Sequence, residues 1–313
     1  METVKVHEGG GQLAGIEKLT SIIRSTSSPA FILDIDDTIK EPRKDGLPKR
    51  FHSKTALALK KIHENGISIG IATEQAPFEI EPFISALATT VLGDKANPYE
   101  LFNGVVIAEG GALVKRAQSQ EYRFLVGMGS QVEKQKLADR IEQEIAVSKE
   151  EDGWGTLVGL ANSVRVKLPD ANHQGKATLS IWEEGFSIST HPEFKEKYFQ
   201  VQEFVERIMQ SLGVSFLKAF EAGNGTLRIV PKNISKHHTA GLLHSFRIID
   251  LSSSIFVGDG PNDILLARKI QEKGGGVIAV ANAVDELKEV ADYITESSSG
   301  IGFAEAISKI FNS

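Results

Sequence analysis

Short apolar runs alternate with longer amphipathic stretches along most of this chain, and that alternation sets the expected fold. Phe31-Ile32-Leu33, Ile67-Ser68-Ile69-Gly70-Ile71-Ala72, Gly104-Val105-Val106-Ile107-Ala108-Glu109, Ser254-Ile255-Phe256-Val257 and Gly276-Val277-Ile278-Ala279-Val280 lack a helical period. Such runs are expected of strands buried on both faces. Between them, residues 54–64 place Ala56, Leu57, Leu59 and Ile62 on or near one side, with Ser53 as N-cap and Asn65-Gly66 as stop. Strand, helix and strand joined by tight turns predict a parallel βαβ unit. Helical patterns also cover residues 12–24, a stretch within 77–102, a segment from 264, and the segments 284–290 and 303–311. Gly9-Gly10-Gly11 reads as a flexible lead, and residues 40–48 as a polar surface loop.

The texture changes between residues 113 and 229. A charged helix over 131–149 is followed by alternating segments at 163–168 and 177–182, a helix over 192–212 and a strand over 226–230. Alternation of this kind fits half-solvated antiparallel strands. Two domains are therefore expected: an α/β core from 1–112 and 230–313, and an inserted α+β domain over 113–229.

Composition narrows the class without naming it. At 313 residues, 41% hydrophobic and 24% charged, the chain has the balance of a soluble globular protein. A net charge of −6 argues against nucleic acid as a partner. The absence of cysteine excludes disulfides and thiolate metal sites. With no signal-like N-terminal pattern and no apolar run long enough for a bilayer, a cytoplasmic protein without membrane contact is expected. The sequence does not specify an oligomeric state.

The chemistry concentrates where strands end. Phe31-Ile32-Leu33 runs into Asp34-Ile35-Asp36-Asp37-Thr38, and in open α/β sheets ligands lie beyond the carboxyl ends of the strands. Taken alone, this stretch leaves two readings open: a Mg²⁺-assisted phosphoryl-transfer site with Asp34 as nucleophile, or a strand running into an acidic turn. Three further landmarks follow at strand ends. They are Thr73; Ile229-Val230-Pro231-Lys232-Asn233-Ile234-Ser235-Lys236; and Gly258-Asp259-Gly260-Pro261-Asn262-Asp263. His237 and His238 are adjacent on a helix, so they point about 100° apart and read as surface residues rather than a ligand pair. Trp154 and Trp182 read as packing residues of the inserted domain.

In order and spacing these landmarks resemble the haloacid dehalogenase-like phosphohydrolases, and within them the Cof-type group with an inserted α/β cap. The resemblance runs from Phe31 to the end of the chain and implies a Rossmann-like core with a parallel sheet flanked by helices. It implies a Mg²⁺-dependent phosphatase of a small phosphorylated metabolite, such as a sugar phosphate or phosphoglycolate. Asp34 would be the nucleophile forming an aspartyl-phosphate, and Asp36 the proton donor and later the base. Thr73 would donate to a phosphoryl oxygen, and Lys236 would stabilise charge. Mg²⁺ would be held by Asp34, the Asp36 carbonyl and Asp259, with Asn262 and Asp263 around it. A phosphosugar mutase with the same nucleophile is the alternative within the family, and a non-catalytic phospho-aspartate switch the alternative outside it. Two departures stand out. Asp37 replaces the usual glycine, and Thr73-Glu74-Gln75 lacks the arginine often found after the threonine.

Overall fold

The computed structural model describes residues 9–41, 51–117, 119, 121–124, 139–140, 143, 177–180, 195–211, 213–215, 217–221 and 226–313. The chain divides into two compact units, residues 1–123 with 235–313, and residues 124–234. No helix among the described residues is long and apolar enough to cross a membrane.

The first unit is built on a sheet of β1 (Ala30–Leu33), β2 (Ser68–Ala72), β3 (Val105–Ala108), β4 (Leu113–Arg116), β5 (Arg123–Phe124), and, later in the chain, β9 (Ser254–Gly258), β10 (Gly276–Ala279) and β11 (Tyr293–Ile294). Their order is β11-β10-β9-β1-β2-β3-β4-β5. The six strands from β11 to β3 pair in parallel, and β4 returns antiparallel to β3. Phe31, Ile32 and Leu33 are all buried because alternate side chains enter two different cores. Phe31, Leu33, Ile69, Ile71, Ile255 and Val257 pack on one face, with residues of the helices Gly9–Ser25, Ser53–Glu64, Pro77–Leu92 and Ser299–Asn312. Ile32, Ala72, Phe256 and Val277 pack on the other, with residues of the helices Lys236–Ser245, Ile264–Glu272 and Asp285–Val290. Each fully buried Ile, Leu or Phe contributes about 1.5–3 kcal/mol of transfer free energy, which makes the sheet a rigid base for the loops leaving it.

The second unit contains β6 (Ala177–Ser180), β7 (Leu217–Glu221) and β8 (Thr226–Pro231), antiparallel in the order β6-β8-β7. The helix Lys195–Ser211 buries Val205, Ile208 and Met209, and Gln202 Nε2 donates to Ala219 O at 2.8 Å.

Several expectations need correction. Residues 113–116 do not open the inserted domain; they form β4, whose pairing with β3 buries Leu113 and Val114 in the first unit. At the other end, β8 extends to Pro231, and the second unit ends at Ile234 rather than before residue 230. The glycine triplet is no loose lead but the first turn of the helix Gly9–Ser25. The N-cap of the helix Ser53–Glu64 is His52, whose Nδ1 accepts from Lys54 N at 3.1 Å, and Ser53 is the first helical residue. β7 went unforeseen because its short run Leu217-Lys218-Ala219-Phe220-Glu221 holds no β-branched residue and mixes apolar with charged positions. The segment at 163–168, both tryptophans, and nearly all of the loop at 40–48 and of the helix at 131–149 lie outside the described residues.

Candidate active site

The parallel register sets Leu33 level with both Ile71 and Val257, so the residues that follow leave the sheet at one edge. Asp34 N still donates to Val257 O at 2.9 Å, which holds Asp34 in the ladder one residue past β1. Thr73 N does the same with Ile107 O at 2.9 Å. Asp259 follows β9 directly. Lys236 is the first residue of its helix, whose N-cap Ser235 accepts from His238 N at 3.3 Å.

These residues meet in one hydrogen-bonded group. Lys236 is 1% exposed, and its Nζ donates to Asp34 Oδ1 and to Asp263 Oδ1, each at 2.7 Å. Asp263 Oδ2 accepts from the backbone N–H of Asp259 and of Gly260, each at 3.1 Å. Thr38 Oγ1 donates to Asp259 Oδ1 at 2.9 Å and lies 3.4 Å from Asp34 Oδ2. Carboxylate oxygens of Asp34, Asp259 and Asp263 all lie within 4.8 Å of one another. Two glycines make this crowding possible. A Cβ on Gly258 would stand 2.7 Å from Asp263 Oδ2, and one on Gly111 (φ +110°) would stand 2.5 Å from Ser235 O.

Within this group of described residues one ammonium faces three carboxylates. Burial would push Lys236 down, but Asp263 and Asp34 outweigh it and hold its proton well above the ordinary range. Burial raises Asp34 well above the usual carboxylate value; Lys236 opposes that, and Asp263 and Asp259 add to it. Burial and then Asp263 push Asp259 up to about 7. The group is short of positive charge by about two units, and every donor atom is a hard oxygen, the environment that suits Mg²⁺. Asp263 is engaged on both oxygens, by Lys236 and by two backbone N–H groups, whereas Asp34 and Asp259 each have one oxygen with only a long contact of 3.4 Å, from Thr38 Oγ1 and Asn282 Nδ2, so these two carboxylates have the greater capacity for direct ligation.

Asp36 stands apart from that group. It is half-buried, its Oδ2 accepts from Gln75 Nε2 at 2.6 Å, and its Oδ1 lies 3.7 Å from Lys40 Nζ. Thr73 is fully buried, and its Oγ1 accepts from Gln75 N at 3.1 Å, which leaves the hydroxyl proton for donation. Asn262 is exposed on the turn Pro261–Asp263, its Oδ1 2.6 Å from where a Cβ on Gly260 would stand. His238 is exposed, as expected, and His237 is half-buried with its Nδ1 2.8 Å from Ser235 Oγ. Asp37 has φ +55°, the left-handed region that favours glycine and that aspartate enters more readily than most residues.

Four contributors escaped sequence reasoning. Thr38, the last residue of the Asp34–Thr38 motif, links the loops after β1 and β9. Gln75 reaches the second carboxylate. Asn282 Nδ2 donates to Asp37 O at 2.9 Å while its Oδ1 accepts from Ser299 N at 2.7 Å, tying the β1 loop to the last helix. The turn Glu109–Gly111 supports two motifs: Glu109 N donates to Gln75 O at 2.9 Å, Gly110 N to Thr73 O at 3.0 Å, and Gly111 O accepts from Thr239 Oγ1 at 2.8 Å. A Gly-Gly pair directly after a buried strand was the available signal for that turn.

Comparison with known proteins points the same way. Residues 31–307 match the family model described as haloacid dehalogenase-like hydrolase. Over 93 residues the chain is 33% identical to phosphoglycolate phosphatase 2 of Saccharolobus solfataricus, covering 29% of this chain and 37% of that relative. A phosphoglycolate phosphatase of Methanopyrus kandleri is 24% identical over 279 residues, 89% of this chain and 95% of the relative. In fold, the chain is similar to the crystal structure of a haloacid dehalogenase-like hydrolase from Bacteroides thetaiotaomicron, with a TM-score of 0.60, 20% identity, and coverage of 91% of this chain and all of that one.

Proposed function

The chain belongs to the haloacid dehalogenase-like hydrolases, and from that premise we propose that it is a Mg²⁺-dependent phosphatase of a small phosphorylated metabolite, acting through an aspartyl-phosphate on Asp34. The observation that carries this reading is the contrast between two carboxylates of one strand end. Asp34 is buried and hydrogen-bonded to Lys236, while Asp36 is held outside the charge group where a leaving group could reach it. Relatives named phosphoglycolate phosphatase support a small organic phosphate as substrate, with a sugar phosphate as the neighbouring class.

Asp34 attacks phosphorus, and the bond between phosphorus and the ester oxygen breaks. The electron pair stays on that oxygen, which takes the Asp36 proton and leaves as an alcohol. Asp36, now a carboxylate, removes a proton from water. The resulting hydroxide attacks phosphorus, the bond to Asp34 breaks, and inorganic phosphate is released. Thr73 donates its hydroxyl proton to a non-bridging oxygen. Lys236 keeps Asp34 oriented and offsets the negative charge gathered at the strand ends. Asp34 and Asp259 would hold Mg²⁺, together with the Asp36 carbonyl. Asp263 and Asn262 would stand outside that shell, Asp263 fixing Lys236 and the Asp259 backbone. When bound, the cation neutralises phosphoryl oxygens during attack. The unit 124–234 would select the substrate, and the chain would act in the cytoplasm without nucleic acid or membrane partners.

The test is phosphate release from a panel of phosphoglycolate, sugar phosphates and p-nitrophenyl phosphate, with and without Mg²⁺. Turnover that needs Mg²⁺ and falls to background in Asp34→Asn is expected. Release that survives Asp34→Asn sinks the mechanism.

A further inference from the structure

We infer that Gln75 is a positioning residue that aims the Asp36 carboxyl at the leaving group, an assignment that rests on the phosphatase reading above.

Asp36 needs such help. It lies beyond the last ladder bond of β1 and is half-buried, and the buried lysine that fixes Asp34 turns its other bond to Asp263. The restraint from Lys40 in its own loop is weak, with Nζ 3.7 Å from Oδ1. Gln75 supplies a close contact, Nε2 to Oδ2 at 2.6 Å, from a different strand end. A hydrogen bond on one oxygen, with a cation facing the other, restrains the tilt of the carboxyl plane as well as its position. A general acid that must meet one ester oxygen needs both.

Gln75 is built to stay still. It is 7% exposed, and its backbone is fastened on both sides: its N–H donates to Thr73 Oγ1 at 3.1 Å, and its carbonyl accepts from Glu109 N at 2.9 Å. The Thr73 hydroxyl and the Asp36 carboxyl are therefore registered to each other through one residue. The far end of the amide, Oε1, is buried without a hydrogen-bond partner. An orphaned buried acceptor is unfavourable and calls for a reason. Here the reason is the other end of the amide, which must face Asp36. Side-chain chemistry supports the choice. Glutamate would repel Asp36, whereas a neutral donor orients it without adding charge.

The test compares a poor leaving group with a good one. Protonation matters for an alkoxide and little for p-nitrophenolate, and kcat/KM reports the steps up to leaving-group departure. In Gln75→Leu, kcat/KM for the alkyl phosphate turned over fastest in the panel is expected to fall about tenfold more than kcat/KM for p-nitrophenyl phosphate. Gln75→Met keeps the length of the side chain, removes the donor and adds no charge, so it gives the same split and serves if Gln75→Leu does not fold. Equal losses on both substrates, or no loss on either, in a folded variant overturn the assignment alone. A wild-type protein that releases phosphate from neither substrate overturns the phosphatase reading and this assignment with it.

Discussion

Asp34 and Asp36 leave one strand two residues apart and meet opposite surroundings. Asp34 is 6% exposed, grips a lysine that is itself buried, and shares its space with two more carboxylates. Asp36 is half-buried and held by a neutral amide and a more distant lysine. On the proposed reading, one short motif supplies two chemistries: burial and like charge would make the floor of the site dependent on an added cation, whereas the carboxyl at the rim would serve the leaving group. Environment assigns the role, since the side chains are identical.

That contrast can be broken at several points. The largest effect is expected at the rim in activity. Asp36→Asn should lower turnover of alkyl phosphates by about 10²–10⁴-fold and, unlike Asp34→Asn, should trap the chain carrying one phosphoryl group, visible by intact-protein mass spectrometry. With p-nitrophenyl phosphate, whose departure needs little protonation, absence of the trapped form in a variant that still releases p-nitrophenol would mean that Asp36 takes no part in the water step.

On the floor the next largest effect is in stability. Lys236→Met leaves Asp34 and Asp263 without their shared cation and should cost about 3–5 kcal/mol in denaturant unfolding, with part of it restored by Mg²⁺. A loss below about 1 kcal/mol, the size of a solvated pair, would show that the lysine does not hold the carboxylates together.

The smallest effect is in pH dependence. The carboxyl of Asp259 is pushed up to about 7 by burial first and by Asp263 second. In buffer free of divalent ions the folded chain therefore binds a proton there more tightly than the unfolded chain, whose carboxyl titrates at about 3.9. Its contribution to stability is greatest at low pH, declines as pH rises from about 4 to about 7, and is level above; the change is on the order of 2–4 kcal/mol. Asp259→Asn should flatten this slope and remove much of the stabilisation by Mg²⁺. A slope unchanged in the variant would place the titration elsewhere.

Much of this site is written locally. Phe31-Ile32-Leu33 has to be buried on both faces, so the carboxylates after it have to emerge at a sheet edge. The same holds for Thr73 after β2 and Asp259 after β9, and Ser235 caps the helix of Lys236 as its residue type predicts. What escaped detection depends on partners far apart in the chain. Gln75 carries no signal until β1 and β2 pair in parallel and bring it to Asp36. Asn282 matters only because β10 and β9 are neighbours, and Glu109–Gly111 only because two loops lean on it. Residues 113–116 fall on the wrong side of the expected boundary because nothing in Leu113-Val114-Lys115-Arg116 says that it returns to pair with β3.

Sequence alone therefore determined the central strands β1, β2, β3, β9 and β10, the order of their chemistry-bearing ends and the identity of the charged residues, because burial and backbone propensity act over a few neighbours. Tertiary structure decided which carboxylates share a lysine, which one stands apart, and where the first unit ends. Those outcomes follow from register between strands and from close approach at Gly258 and Gly111, and no local pattern encodes distances between residues that are far apart in the chain.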